Sequence, residues 1–263
     1  MKKPFMYTHC LASVDGRIIG NSMRLPEEIA AAPFFKDRGY NGSVYPKGSL
    51  MMGTNSVEGD VVKGTIPAED PACVVPEGDF IACDDSDKYT VILDRKGRLP
   101  WSQNYFVYNA TEYPLISVLT EKVSNTYKKY LRDLGISYVI CGTEEIDFDM
   151  LFEKLVDIFH IETLIVGGGG AMNWSMVRKG YADEVSIVIF PAADGNKEAV
   201  GYFSGDPNKD EDMPVAFNLL DCVVDKESES VWLRYSVKKI WTKEEFTETY
   251  GDGRGEFVTA EHR

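Results

Sequence analysis

The sequence predicts an α/β protein: a mostly parallel central sheet flanked by helices, ending in an antiparallel C-terminal hairpin. Three observations carry this. Between Ser124 and Val177 strand-like and helix-like segments alternate, the order of parallel crossover units. AFNLLDCVV and SVWLRYSVKKI then face each other across DKESES, as the arms of a hairpin do. Finally, the aliphatic run LIV from Leu164 passes straight into four glycines and then into a helix-like stretch, AMNWSMV.

PFMYTHCLASVDGRI begins as a strand, aromatic and small apolar up to Ala12, and ends at an Asp15-Gly16 turn. From Pro26, PEEIAAAPFFKDRGY has the proline and acids of a helix opening, and Pro33 is expected to break or restart that helix. SLMMGT, Ser49 to Thr54, is a short buried strand that ends in glycine. VEGDVVKGTIPAEDPACVVPEGDF is rich in Pro, Gly and acid and reads as an irregular surface excursion. YTVILD is a β-branched strand closed by RKGRLP, and NYFVYNA and PLISVLT supply further short strands. SNTYKKYLRDLG spaces Tyr127, Tyr130, Leu131 and Leu134 as a helix does and stops at glycine. ISYVICGT is a strand, DFDMLFEKLVDIFHI a helix capped by Asp147 or Asp149, and ETLIVGGGG a strand entering the glycine turn. ADEVSIVIFPAADG is a further buried strand and GDPNKDEDMP a loop. The polar WTKEEFTETYGDGRGEFVTAEHR reads as a partly ordered tail.

With 263 residues and 44% apolar content, the chain can bury a full core, and one domain with additions is expected. No window approaches the roughly 18 apolar residues of a membrane span, and the N-terminus lacks a signal-peptide core, so a cytoplasmic protein without membrane partners is predicted. A formal charge of −14 repels a phosphate backbone and argues against nucleic acid. An anionic small molecule is still allowed, because screening over about 8 Å leaves binding to the donors within the pocket. The five cysteines and three histidines show no ligand spacing, so reduced thiols and no metal site are expected.

The four glycines carry the most chemistry. A strand that bends through glycine into a helix presents free amides and a positive helix end, which suits a phosphate. A tight turn needed only for packing is the other reading. The dinucleotide fingerprint G-x-G-x-x-G does not fit, because the register from Gly167 puts Met172 at the third glycine.

Several pieces together resemble the reductase domain of bacterial riboflavin biosynthesis, in the dihydrofolate reductase-like superfamily. They are SVDGRI, LMMGTNSVEGD, VILDRKGRLP, LIVGGGGAMNWSMVRKGYADEVSIVIFPAADG and the final LRYSV, covering most of Phe5 to Lys238. The resemblance implies NADPH as cofactor, a small-molecule substrate and a homodimer. It also implies a domain over residues 1–240 with an acidic insertion at about 58–87, followed by the tail at 241–263. Carried over residue by residue, it puts Gly168, Gly169, Gly170, Ala171 and Met172 against the cofactor diphosphate, with Asn173 and Ser175 just inside the helix. Gly53 and Thr54 would meet a phosphate, and Glu58 falls near the nicotinamide side. Asp94 and Arg95 are where this fold meets the adenosine 2′-phosphate, and Lys96 or Arg98 can substitute for that arginine; a solvated surface arginine is the alternative. The family carries glutamate where this chain has Gly167, which removes an acceptor from the substrate side.

Hydride transfer requires positioning, exclusion of water and a proton source rather than a nucleophile or metal. Asp15 is the candidate acid if its carboxyl is partly buried, and otherwise a turn aspartate. Ser13, on the same loop, is a candidate for contact with substrate or nicotinamide. His9 reads as a satisfied core histidine. Trp174 either stacks on a substrate ring or packs in the core, and Pro33, Phe34, Phe35 and Tyr40 are candidates to cover the substrate side. The leading expectation is an NADPH-dependent reductase of a small heterocyclic or carbonyl-containing metabolite. The riboflavin-pathway reduction of 5-amino-6-(5-phosphoribosylamino)uracil and a non-catalytic nucleotide-binding module are the alternatives.

Overall fold

The computed structural model describes residues 2–57, 62–108, 111–205 and 213–251. Along them run β1 (Phe5–Ser13), β2 (Arg17–Ile19), α1 (Pro26–Gly39), β3 (Ser49–Gly53), β4 (Thr90–Leu93), β5 (Tyr105–Tyr108), β6 (Thr111–Leu119), α2 (Asn125–Asp133) and β7 (Ser137–Ile140). There follow α3 (Phe148–Asp157), β8 (Thr163–Val166), α4 (Gly170–Arg178), β9 (Glu184–Phe190), β10 (Val200–Gly201), β11 (Val215–Asp225), β12 (Ser230–Ile240) and α5 (Lys243–Tyr250).

Among the described residues ten strands form one sheet in the order β11-β12-β9-β1-β8-β3-β4-β6-β5, with β7 beside the second half of β6. From β9 through β1, β8, β3, β4 and β6 to β7 every pairing is parallel. The antiparallel additions lie outside this block, β12 and β11 at one edge and β5 at the other. The expected mostly parallel sheet with a C-terminal antiparallel hairpin is present.

The central strands are buried on both faces, as parallel strands under helices must be. Along β1, Tyr7 and Leu11 enter one core while Met6 and Cys10 enter the other, the period of two that a pleated strand imposes. Helices α1 and α2 contribute Ala31, Tyr127 and Leu131 to the first core. Leu151, Phe152 and Leu155 of α3 and Met176 and Val177 of α4 fill the second. Caps fix two helix starts: Ser124 Oγ accepts from Tyr127 N, and Asp147, rather than Asp149, accepts from Met150 N.

One segment departs from the sequence reading and two are given detail by the structure. Helix α1 runs through Pro33 without a break. Pro33 is exposed, so the carbonyl it deprives of a donor lies on the solvent side of the helix. The polar stretch after Ile240 contains helix α5, opened by a capping box between Thr242 and Glu245; residues beyond Gly251 lie outside the described part. Residues 62–88 form no helix or strand, yet they are fastened down. Asp70 N donates to Thr126 Oγ1 on α2, Ala82 N donates to Ser137 Oγ on β7, and Phe80 bridges to Tyr138.

Candidate functional site

Parallel strands deliver their C-terminal ends to one side of a sheet, and there a crevice forms. Here Gly53 at the end of β3, Leu93 at the end of β4 and Gly167 after β8 border a cleft of ≈ 1420 Å³. Helix α1 supplies the facing wall with Glu28, Ala32, Phe35 and Lys36, residues that helical spacing brings onto one face. Arg17, Ile18 and Ile19 of β2 extend that wall. Residues 197–205 close the third side: β10 pairs with β2, Arg17 Nη1 donates to Ala199 O at 2.9 Å, and Ser204 N donates to Gly170 O at 3.1 Å.

The glycine turn uses the absence of side chains, not unusual torsions, since none of Gly167 to Gly170 has positive φ. A Cβ on Gly167 would lie 2.5 Å from Leu50 Cδ1, and one on Gly168 would lie 2.2 Å from the Met172 methyl. On Gly170 it would meet Gly201 O at 2.2 Å. Gly169 is different: a Cβ there meets nothing within 4 Å, and the residue borders the cleft. Gly53, across the cleft floor, is open in the same way. Gly169 is also the N-cap of α4 and offers no side-chain cap, so the first-turn amides of Gly170 and Ala171 have no partner within the helix. Three of the four glycines therefore let main chain pack closely, and the fourth leaves space for something else.

A smaller cavity of ≈ 350 Å³ continues from the cleft past Thr54 and Leu93 and is lined by Arg95, Lys96 and Arg98. Arg98 Nη2 donates to Thr54 Oγ1 at 2.7 Å and to Asn55 Oδ1 at 2.9 Å, tying this cationic corner to the turn after β3. Arg95 is ion-paired with the exposed Glu145. Asp94 is fully buried, and its carboxylate accepts from Arg98 N at 3.0 Å, Leu99 N at 3.3 Å and the Tyr127 hydroxyl at 2.7 Å. Its side chain thus holds the Arg95–Arg98 turn in shape at the edge of the cavity.

Asp15 is not the buried acid that the sequence reading required. Its carboxylate accepts from Ser13 Oγ at 2.6 Å, Asp194 N at 3.0 Å and Gly195 N at 2.9 Å. Led by the Ser13 hydroxyl, these donors hold its pKa down at about 2, so it is an ionised clamp between two loops. Neither Asp15 nor Ser13 borders the cleft. Asn173 and Ser175 are likewise away from it. Asn173 is buried and donates to Cys10 Sγ and Tyr202 O, both at 3.2 Å, and Ser175 lies beyond the first turn of α4. Trp174 packs beside Phe203 at 5.6 Å. Glu58 lies outside the described residues.

His9 borders the cleft but is committed. Its Nε2 lies 2.9 Å from Phe35 O, which can only accept, so Nε2 carries the proton and Nδ1 accepts from Ser186 Oγ at 2.8 Å. Trp232 Nε1 in turn donates to Ser186 Oγ at 2.7 Å. Burial pushes the imidazole pKa down to about 4. Glu28 is the opposite case. It is half-buried on the cleft wall, no hydrogen-bond or ion-pair partner engages its carboxyl among the described residues, and partial desolvation raises its pKa. Sequence reasoning missed Glu28, Lys36 and Arg17, because only the packing of α1 and the β2–β10 pairing turns them toward the glycine turn. Phe35 and Tyr40 do border the cleft; Pro33 does not.

Residues 4–228 match the RibD C-terminal domain family. The chain is 30% identical over 100 residues to the 2,5-diamino-6-ribosylamino-4(3H)-pyrimidinone 5′-phosphate reductase of Aquifex aeolicus, covering 38% of this chain and 44% of that protein. It is 30% identical over 158 residues to the protein of the same name from Methanothermobacter thermautotrophicus, covering 60% of this chain and 66% of that one. It thus spans less than two thirds of either relative. A pyrimidine reductase-like protein from Corynebacterium diphtheriae has the same fold, with a TM-score of 0.59 and 13% identity over 90% of this chain and 92% of that one. With the match running from the first strand to the turn of the C-terminal hairpin, the chain belongs to the RibD C-terminal domain family.

Proposed function

We propose that this chain is an NADPH-dependent reductase that acts on the ribosyl side chain of a phosphorylated diaminopyrimidine, the substrate for which its relatives are named. The observation that supports this most is the bare main chain at Gly169: an uncapped helix start, open to a large cleft, with a cationic cavity one step away.

When bound, NADPH supplies the hydride. The amides at Gly169, Gly170 and Ala171 and the positive end of α4 suit its diphosphate, with Gly168 and Met172 shaping the turn and Gly53 leaving room opposite. Lys96 and Arg98, beside Thr54, suit a 2′-phosphate; Arg95 joins them only by leaving Glu145. On the facing wall Phe35, Met23 and Ile18 exclude water, and Lys36 brings a positive charge suited to the substrate phosphate. Glu28 delivers the proton, since its carboxyl stays protonated to higher pH than a free glutamate and is unengaged. It also answers the missing glutamate: a side chain at Gly167 would require Leu50 to shift, and α1 brings a carboxyl to the same cleft from the other side. The homodimer remains part of this reading, and sedimentation tests it.

Fluorescence titration with NADPH and NADH, followed by turnover with 2,5-diamino-6-ribosylamino-4(3H)-pyrimidinone 5′-phosphate, is the decisive experiment. Expected are NADPH binding about tenfold or more tighter than NADH and oxidation of NADPH only when substrate is present. Binding without turnover would leave a nucleotide-binding module, and failure to bind either nucleotide would remove the reading.

A further inference from the structure

A second cavity, of ≈ 270 Å³, opens near the N-terminal ends of β3 and β4, away from the strand ends that border the reductase cleft. Its walls combine the rings of Tyr40, Tyr108 and Tyr113 with the side chains of Lys47 and Lys88. No aspartate or glutamate lines it, although acidic residues outnumber basic ones 42 to 28 in the chain. Nor does any ion pair neutralise Lys47 or Lys88 among the described residues; the Lys88 ammonium lies 5.4 Å from the Tyr113 ring centre, over its face. Two cations without counter-charges in one aromatic recess, one of them over a ring face, form an electrostatic and stacking environment suited to an anion.

The recess is separate from the reductase site but shares a wall with it. Tyr40 borders both cavities, and its ring sits edge-on to His9 and Phe35 at 5.3 and 5.5 Å on the cleft side. On the recess side it lies 4.8 Å from the Tyr108 ring. Tyr40 thus joins the recess to the packed rings on the cleft side, and a concave, aromatic-lined recess is the shape that small-molecule sites have.

We propose that this recess binds a small planar anion, a ring bearing a phosphate or carboxylate, with its ring among the tyrosines and its charge between Lys47 and Lys88. The inference does not depend on the reductase reading. Phenyl phosphate is the probe, with inorganic phosphate and phenol carrying its charge and its ring separately. Ligand-observed NMR and calorimetry on the full chain should show phenyl phosphate binding at least about tenfold more tightly than either fragment, as paired charge and ring contacts require.

The K47A/K88A variant should lose that binding by about tenfold or more while keeping its thermal midpoint, and G169V should keep it. K47Q/K88Q replaces the alanine pair if that variant does not fold. Absence of binding to the wild-type chain, undiminished binding in both lysine variants, or loss in G169V alone would each overturn the proposal; the last would mean that the probe occupies the reductase cleft.

Discussion

The two long walls of the main cleft are made of different materials. On the β8–α4 side the surface is main chain: Gly169 and Ala171 present amides, and no side chain caps the helix start. On the α1–β2 side it is side chain: Glu28, Phe35, Lys36 and Arg17 reach in from a helix face and a short strand. Main chain recognises what every ligand of a class shares, such as a diphosphate. Side chains recognise what distinguishes one substrate from another. If the glycine wall takes the coenzyme and the α1 wall the substrate, as proposed, the two recognitions can change independently.

Substitutions at each wall sharpen or break that division. The largest effect is expected from Glu28→Gln. If Glu28 is the acid, turnover falls by roughly 10²-fold or more while NADPH affinity holds. Because its pKa is raised, the wild-type rate is full at low pH and declines as pH rises through that pKa; in the variant this limb disappears from the pH–rate profile. An unchanged profile would remove Glu28 from the mechanism.

Gly169→Val comes next. A branched side chain there fills the one open position of the turn, and NADPH affinity falls by roughly 10–100-fold, the worth of one or two charge-assisted hydrogen bonds. The thermal midpoint stays near wild type, since no neighbour lies within 4 Å of the new Cβ. Lys96→Ala is smaller and more selective: a preference for NADPH over NADH that drops by about tenfold, with NADH binding unmoved, as separate titrations would record.

His9 provides the smallest effect on activity and the clearest one on stability. Its pKa is about 4 in the folded chain against an ordinary 6.5. A depressed folded-state pKa contributes stability that is complete above 6.5 and is lost as pH falls toward 4, by roughly 3 kcal/mol at most. Urea unfolding at pH 7 and pH 4.5 measures this, and the difference should shrink in His9→Gln. If His9 were the acid instead, that variant would lose activity at pH 7 without changing the acid dependence of stability.

Much of the architecture was legible in the sequence because burial writes a period. The apolar run of β8, the 3–4 spacing of Tyr127, Tyr130, Leu131 and Leu134 and the paired arms of β11 and β12 all placed elements correctly. Even α5 left a signal, the Thr242-x-x-Glu245 capping box, which the polar composition around it obscured. Candidate site residues were legible where glycine marks bare main chain beside the cleft, as at Gly169. The sequence offers Asp15 as a candidate acid and Ser13 as a substrate contact, and the family resemblance implies cofactor contacts for Asp94 and Asn173. Their side chains are spent instead on Asp194 and Gly195, on the Arg95–Arg98 turn, and on Cys10 and Tyr202. Whether a polar group faces a cleft or a neighbouring loop depends on contacts such as Asp15–Asp194, across 179 positions of chain, which no local pattern encodes.

The amide of Ser204 hangs from the carbonyl of Gly170, the first residue of α4, and the β2–β10 ribbon anchors the same stretch to the opposite wall. The covering strip is therefore fastened to both walls, so a substitution that breaks either attachment loosens the rim of the whole cleft and not one side of it alone.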